Sequence, residues 1–493
     1  MIEKNEYHSL TDGAMGENTG MNVYTKGSGA SFPYVNIQEP LVVLSASETY
    51  HKDKLIDNKS YSYNNAIVHK QGLGFCGFAK VTTVDKKHQT YTSEYDPTCH
   101  AILTGETTPM VTNSYRYAIN VKSNKIAKIR LVQKTENDKL SGVVAASAYV
   151  YDDYGYPTKE TTNYNDGSSV VKETTYNSFT DIGTDYRLGV VQDQKVTTTY
   201  NGNTYVERNF VPVWGSNKKP TVTVLSKNGN QVEQTVYYYD SYGKVISSSV
   251  TPYSGTPQKT QYAYDSYGRV VQETNPQNLV TKYTYDNVGN MIEMTDARGG
   301  VTKYEYDDMG REITASYPDN TVKATRYMWN YDNVGVYAIQ TSGTKIPTSK
   351  TVYDAFGRET RSQVTHFDNT IVSVDKVYDE YGNLEKVSLP FSGSTASLWN
   401  TYSYDAYNRP LEYAEASGHF TRYSYSGNTT SVTTDNVTTT KTNNVFGQLV
   451  SVTDPAGTIE YNLGADGQPK SVVAPGGVTT SFEYDVYGRR TAL

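Results

Sequence analysis

The sequence predicts an all-β fold: a repeat array of β-hairpins, about 21–26 residues each, joined into one continuous curved sheet. Three observations predict it. A short motif, Tyr-Asp-x-x-Gly, returns along the chain at nearly constant intervals. The residues between copies alternate with period two, the strand period, and three-to-four helical spacing is absent. The inventory holds 47 Tyr yet has a mean hydropathy of -0.62, which suits a thin sheet better than a thick core. A tyrosine ring covers half-buried surface while its hydroxyl still reaches a polar partner.

The motif stands at Tyr151, Tyr239/Asp240/Gly243, Tyr264/Asp265/Gly268, Tyr285/Asp286/Gly289, Tyr306/Asp307/Gly310, Tyr331, Tyr353/Asp354/Gly357, Tyr378/Asp379/Gly382 and Tyr484/Asp485/Gly488. A further copy at Tyr404 has Asn408 in the glycine place. From Tyr239 to Tyr404 the intervals are 25, 21, 21, 25, 22, 25 and 26 residues, too regular for chance and too short for whole domains. Tyr425-Ser426, Asn444 to Gly447 and Ala465 to Gly467 read as worn copies.

The motif has a mechanical reading. An Asp that opens a tight turn accepts hydrogen bonds from the amides just ahead of it, and the last place must adopt the left-handed conformation that Gly tolerates. A type I turn with a glycine bulge meets both demands. Asn408 fits, since Asn is among the residues enriched there. Alternation as in Leu279-Val280-Thr281-Lys282-Tyr283-Thr284-Tyr285 puts tyrosines two apart on one face, where they are expected to stack on those of the next repeat. A second turn, as at Asn275-Pro276-Gln277-Asn278 or Asp296-Ala297-Arg298-Gly299, closes each unit. A lone hairpin is marginal in water, so each unit needs its neighbours.

The bulk numbers exclude several functions. A net charge of -7 argues against a nucleic-acid partner, because phosphate binding requires a basic face. The longest apolar run, about Val143 to Val150, is far short of a membrane span, and the N-terminus shows no signal-peptide pattern. Two cysteines, Cys76 and Cys99, supply no disulfide framework. His69, Cys76, His88, Cys99 and His100 match no standard metal spacing, and no metal site or other cofactor is expected. Gly72 to Gly77 satisfies the letters of a dinucleotide fingerprint, but the strand-like Phe78 to Val84 follows where a helix would have to start, so it reads as a bend. Adjacent carboxylates such as Asp307/Asp308 point to opposite faces of a turn or strand, and no catalytic constellation is found.

The segments Tyr264 to Arg269, Tyr285 to Asn290 and Tyr306 to Arg311 closely resemble the Rhs/YD-repeat family, which includes bacterial Rhs polymorphic toxins, the B and C subunits of insecticidal toxin complexes and teneurins. The resemblance covers 239–493 and reaches back to Tyr151. Tyr61 to Tyr63 with Gly72 to Phe78, and Thr184 to Gly189, look like the stretch leading into the repeats of toxin-complex B proteins. What the resemblance implies is a strip of strands wound into a hollow shell around a C-terminal toxin or effector, in a protein that is secreted or on the cell surface. The chain is shorter than a complete shell and lacks the family's closing region, so the missing parts of that shell, or an encapsulated effector, are the expected partners. Asp454-Pro455-Ala456-Gly457 is similar to an autoprotease pattern of the family but reads as a second turn of a unit.

The expected organisation is an irregular segment 1–60, a β-rich lead-in 61–148, degenerate repeats 149–236 and a regular array 237–493. The expected function is structural, with no enzyme activity. The competing expectation is a cell-surface adhesion or carbohydrate-binding protein that grips glycans through exposed tyrosines. Open strand edges are expected to make the isolated strip self-associate.

Overall fold

A computed structural model describes residues 2–15, 20, 22–51, 54–121, 126–179, 187–253, 255–329, 336–366 and 368–493. Tyr331 and the Thr184 to Tyr186 part of the lead-in resemblance lie outside these residues. Among the described residues there is no helix, and a 40-stranded open sheet takes up nearly all of the chain. From strand Val42–His51 through to Thr479–Ser481 each strand pairs antiparallel with the next, except that the short Phe391–Ser392 pairs back on Ile371–Tyr378 and Leu384–Ser388 pairs with Trp399–Tyr404. A short final hairpin joins Glu483–Tyr484 to Arg490–Ala492.

The meander follows from the sequence because the motif turns and second turns of the array are short and close locally. In the array the Asp amide donates to the carbonyl four residues on, and the Gly amide donates back to the Asp carbonyl, as at Asp265 (3.0 Å each). The pairing register slips by one residue at each motif tyrosine, including Tyr239, Tyr264, Tyr285 and Tyr306. Such bulges increase the local right-handed twist, so their repetition every 21 to 26 residues curls the strip.

Within 1–60 the structure adds a strand that the sequence did not reveal, Ile2–Ser9, lying antiparallel on Val42–His51. Its side chains lack clean alternation, and its pairing is fixed by a partner some forty residues away. Behind it sits the one cluster of buried apolar side chains found among the described residues: Leu10, Val23, Tyr24, Ile37, Val43 and Ala66. Tyr24–Thr25 docks parallel on Lys54–His69, and the Tyr24 hydroxyl donates to Ile37 O at 2.5 Å. Elsewhere the buried side chains are mostly small and polar, such as Thr174, Thr235, Thr302 and Ser373. The sheet is therefore a single layer, which explains how a chain of such low hydropathy folds.

The strip also returns over itself. Residues 234 to 321 positions apart meet: the 85–89 turn touches Glu380, Ala406 and Asn408, and Tyr253 touches Tyr487. In an antiparallel meander the turns alternate between two edges. The motif turns lie on one edge and the second turns on the other. Each of these contacts joins a motif-edge turn of the later winding to an opposite-edge turn of the earlier one.

Candidate functional site: the repeat turn and the seam between windings

In the repeat turn, Asp240 Oδ1 accepts from the amides of Tyr242 (2.9 Å) and Lys244 (2.8 Å). Asp265, Asp307, Asp354, Asp379, Asp405 and Asp485 do the same, and Asp286 accepts three amides. The residue closing each turn has positive φ, from 74° at Gly310 to 110° at Gly289, with Gly243, Gly268, Gly357, Gly382 and Gly488 between them and Asn408 at 66°.

Five of these carboxylates are correspondingly acidic. At Asp307 the Arg311 side chain, and then its amide, hold the pKa below the ordinary carboxylate value. At Asp286 the Asn290 side chain is the main cause. Asp265, Asp405 and Asp485 also lie low: partial desolvation works against this, but amide and guanidinium donors outweigh it.

Sequence reasoning missed the residue after the glycine, although its recurrence as Arg or Lys was visible. Arg269, Arg311, Arg358, Arg409 and Arg489 pair with the Asp of their own turn at 2.6–2.7 Å. Most also reach the next repeat, lying over a tyrosine ring there: Arg269 over Tyr285 (4.8 Å), Arg358 over Tyr378 (4.4 Å) and Arg409 over Tyr425 (4.2 Å). Lys244 over Tyr264 (5.3 Å) continues the series, and Lys470, two residues further from its turn glycine, covers Tyr484 (5.0 Å). A cation over a ring face is worth about 0.5–1 kcal/mol where exposed and about 2 kcal/mol where desolvated.

The motif tyrosine completes the link. Its hydroxyl donates to a backbone carbonyl of the preceding repeat, just beyond that repeat's turn: Tyr239 to Pro220 (2.7 Å), Tyr264 to Val245 (2.7 Å), Tyr285 to Val270 (2.9 Å), Tyr306 to Met291 (2.8 Å), Tyr378 to Glu359 (2.8 Å) and Tyr484 to Pro469 (2.8 Å). Desolvation raises the pKa of Tyr239, Tyr264, Tyr306 and Tyr378, so the phenol keeps the proton it donates. Tyr353 instead stacks on Tyr337 with centroids 4.7 Å apart. A tilted ring contact joins Tyr402 to Tyr413 (5.0 Å, 31° between the planes). The recurring link between repeats, however, is hydroxyl to carbonyl and cation to ring, not the row of stacked rings expected from the spacing.

The seam between windings is built from the same turns. Lys86 Nζ donates to Glu380 O (2.9 Å), Gln89 Nε2 to Ala406 O (2.7 Å) and Lys87 to the Asn408 side chain. Lys87 also covers the Tyr381 ring at 4.6 Å. Further along, Phe446 meets Tyr164 (5.1 Å) and Tyr200 (5.8 Å) edge-on, and the Tyr487 hydroxyl donates to Tyr253 O. Where the first of these turns meet, a cavity of about 600 Å³ opens between the windings, with Leu55, Met110, Phe356, Tyr378 and Tyr407 in its wall. Its charged groups are engaged structurally: Lys86 with Glu380, Arg358 with Asp354.

The other sequence features fall in structural places. Gly72 precedes strand Gly74–Val84, with no helix behind it. Asp454 and Gly457 are paired across a two-residue hairpin turn in which Ala456 N donates to Asp454 Oδ1 (2.8 Å). Tyr63 packs its ring on Phe78 (4.7 Å) and donates to Leu44 O (2.9 Å).

The RHS Repeat family model matches residues 264–301, 285–322 and 465–493. The fold is similar to crystal structures of TcdB2-TccC3. One aligns with a TM-score of 0.63 and 12% identity over 92% of this chain and 35% of that one. TcdB2-TccC3-Cdc42 gives 0.65 and 10% over 92% and 37%, and TcdB2-TccC3 without its hypervariable C-terminal region gives 0.61 and 11% over 92% and 37%. The chain thus spans little more than a third of the length of these structures. No curated protein matches its sequence. With turns of this chemistry at this spacing, the stretches 264–322 and 465–493 are RHS repeats, and the chain as a whole shares the fold of the TcdB2-TccC3 structures.

Proposed function

We propose that the chain is a wall segment of a toxin-complex-type Rhs shell, in a secreted or surface-delivered protein, and that the shell encloses or presents a toxin or effector polypeptide. The observation that carries this reading is the seam: a strip one layer thick that curls and then rests on its own earlier winding makes a wall, and its polar side chains serve cohesion. In this reading 61–148 leads into the wall, 149–236 supplies worn repeats, 237–493 supplies the regular ones, and the motif residues from Tyr239 to Gly488 are structural turns. The partners are other parts of the same shell and the enclosed polypeptide. Any chemistry belongs to that cargo.

The test is protease protection. The natural polypeptide containing this chain is digested under native conditions and again after mild acid opening, and the fragments are identified by mass spectrometry. The reading expects a non-repeat segment that survives natively and disappears once the wall is opened. Equal digestion of every non-repeat segment in both conditions overturns it. The competing glycan reading draws on exposed rings such as Tyr242 and Tyr267. A saturable, reproducible ligand on a glycan array, lost on Tyr242→Ser with Tyr267→Ser, would favour that reading over a plain wall.

A further inference from the structure

The third position of the repeat turn carries a large side chain in copy after copy. In the later winding that side chain is covered in part or in full: Tyr381, still 46% exposed, lies beneath Lys87, Tyr407 in the cavity wall, Phe446 against Tyr164 and Tyr200, and Tyr487 on Tyr253. In the earlier winding the equivalent residues stand in solvent: Tyr242 is 88% exposed, Tyr267 83%, Val288 88% and Met309 73%. The local geometry is the same in both sets. Tyr267 rests on its own Arg269 at 5.0 Å much as Tyr487 rests on Arg489 at 4.7 Å. Isolated exposed apolar residues are ordinary, but a row repeated on one edge marks an interaction surface.

What fits this row follows from its seated counterparts, each of which rests on an opposite-edge turn. The chain carries further turns of that kind at 275–278, 296–299 and 317–320, where Asn278, Gly299 and Asn320 have positive φ as His88 does in the 85–89 turn. Arg298, at the third place of its turn, corresponds to Lys87, the cation over Tyr381. The tips recur at intervals of 25, 21 and 21 residues and these turns at 21, so one hairpin faces one hairpin.

We propose that Tyr242, Tyr267, Val288 and Met309 form a docking row for a second copy of this chain, which presents its 275–320 turn edge to it. The contact is head-to-tail, continues the seam already present within one chain, and stands independently of the cargo reading. A head-to-tail interface that does not close generates open stacks.

Sedimentation velocity on the full chain, over a hundredfold range of concentration, tests this. Association growing with concentration is expected. The variant Tyr242→Ser/Tyr267→Ser/Val288→Ser/Met309→Ser should weaken it by at least about tenfold, and so should Ala297→Asp/Arg298→Asp on the other edge. All six positions lie in turns, and circular dichroism verifies that both variants keep the β fold. Because each variant retains one good edge, an equimolar mixture should yield a dimer and nothing larger. A monomer at every concentration, a row variant that associates like the parent, or a mixture without a dimer each overturns the proposal.

Discussion

Asp286 and its equivalents stand at the point where sequence becomes geometry. One carboxylate oxygen takes up two or three amides of the turn while the other holds the cation or amide that follows the glycine. Because the folded-state pKa values of Asp265, Asp286, Asp307, Asp405 and Asp485 are lowered, their contribution to stability is complete above the unfolded value near 3.9 and is lost as pH falls through the folded values. Unfolding followed by circular dichroism should therefore steepen below about pH 4. Replacing these five aspartates by Asn should flatten that limb. The tyrosines work in the opposite sense. With their pKa raised by desolvation, the stability they add is complete below the unfolded value near 10 and lost as pH rises through the folded values, so alkaline unfolding should set in above it. Tyr264→Phe removes one hydroxyl-to-carbonyl bond and should cost about 1 kcal/mol in a denaturant titration. The aspartate and glycine roles were legible because both are local, spanning four residues of backbone. The tyrosine and arginine roles were not, because each acts on the neighbouring repeat and no rule of spacing says which atom there it meets.

At the scale of the hairpin, turn and bulge are one device. Gly289, at φ 110° with open space where a Cβ would stand, is constrained by its backbone conformation alone. Gly289→Ala should cost about 1–2 kcal/mol, whereas Asn408→Gly relaxes the backbone but removes the side-chain acceptor of Lys87 and Asn383 and should cost about 1 kcal/mol, both read from denaturation midpoints. The strand pattern was legible throughout the array because alternation and turn chemistry agree there, and that agreement is what gave the all-β repeat fold. It was weakest in 1–60, where Ile2–Ser9 has no repeat partner and is set by pairing with Val42–His51. Local stacking of tyrosines was overestimated for a related reason: rings two apart do share a face, but the strand beside them brings a carbonyl and a cation to the ring more often than another ring.

For the whole molecule the decisive feature is the return of the strip on itself, which local sequence does not encode, since it joins residues 234 to 321 positions apart. Phe446→Ala should remove the edge-on contacts with Tyr164 and Tyr200 and cost roughly 2 kcal/mol. Hydrogen exchange should quicken around 164–200 as well as around 446, which a purely local role would not produce. Lys86→Ala with Lys87→Ala should loosen the first part of the same seam and make its protection less sensitive to salt. The double attachment has a further consequence for damage. A peptide bond broken in an exposed turn where windings overlap leaves each new end sewn to the strand beside it and to the winding it rests on. A nicked chain should thus migrate as two pieces under denaturing conditions and as one under native conditions, so that covalent continuity is the least of what keeps this ribbon whole.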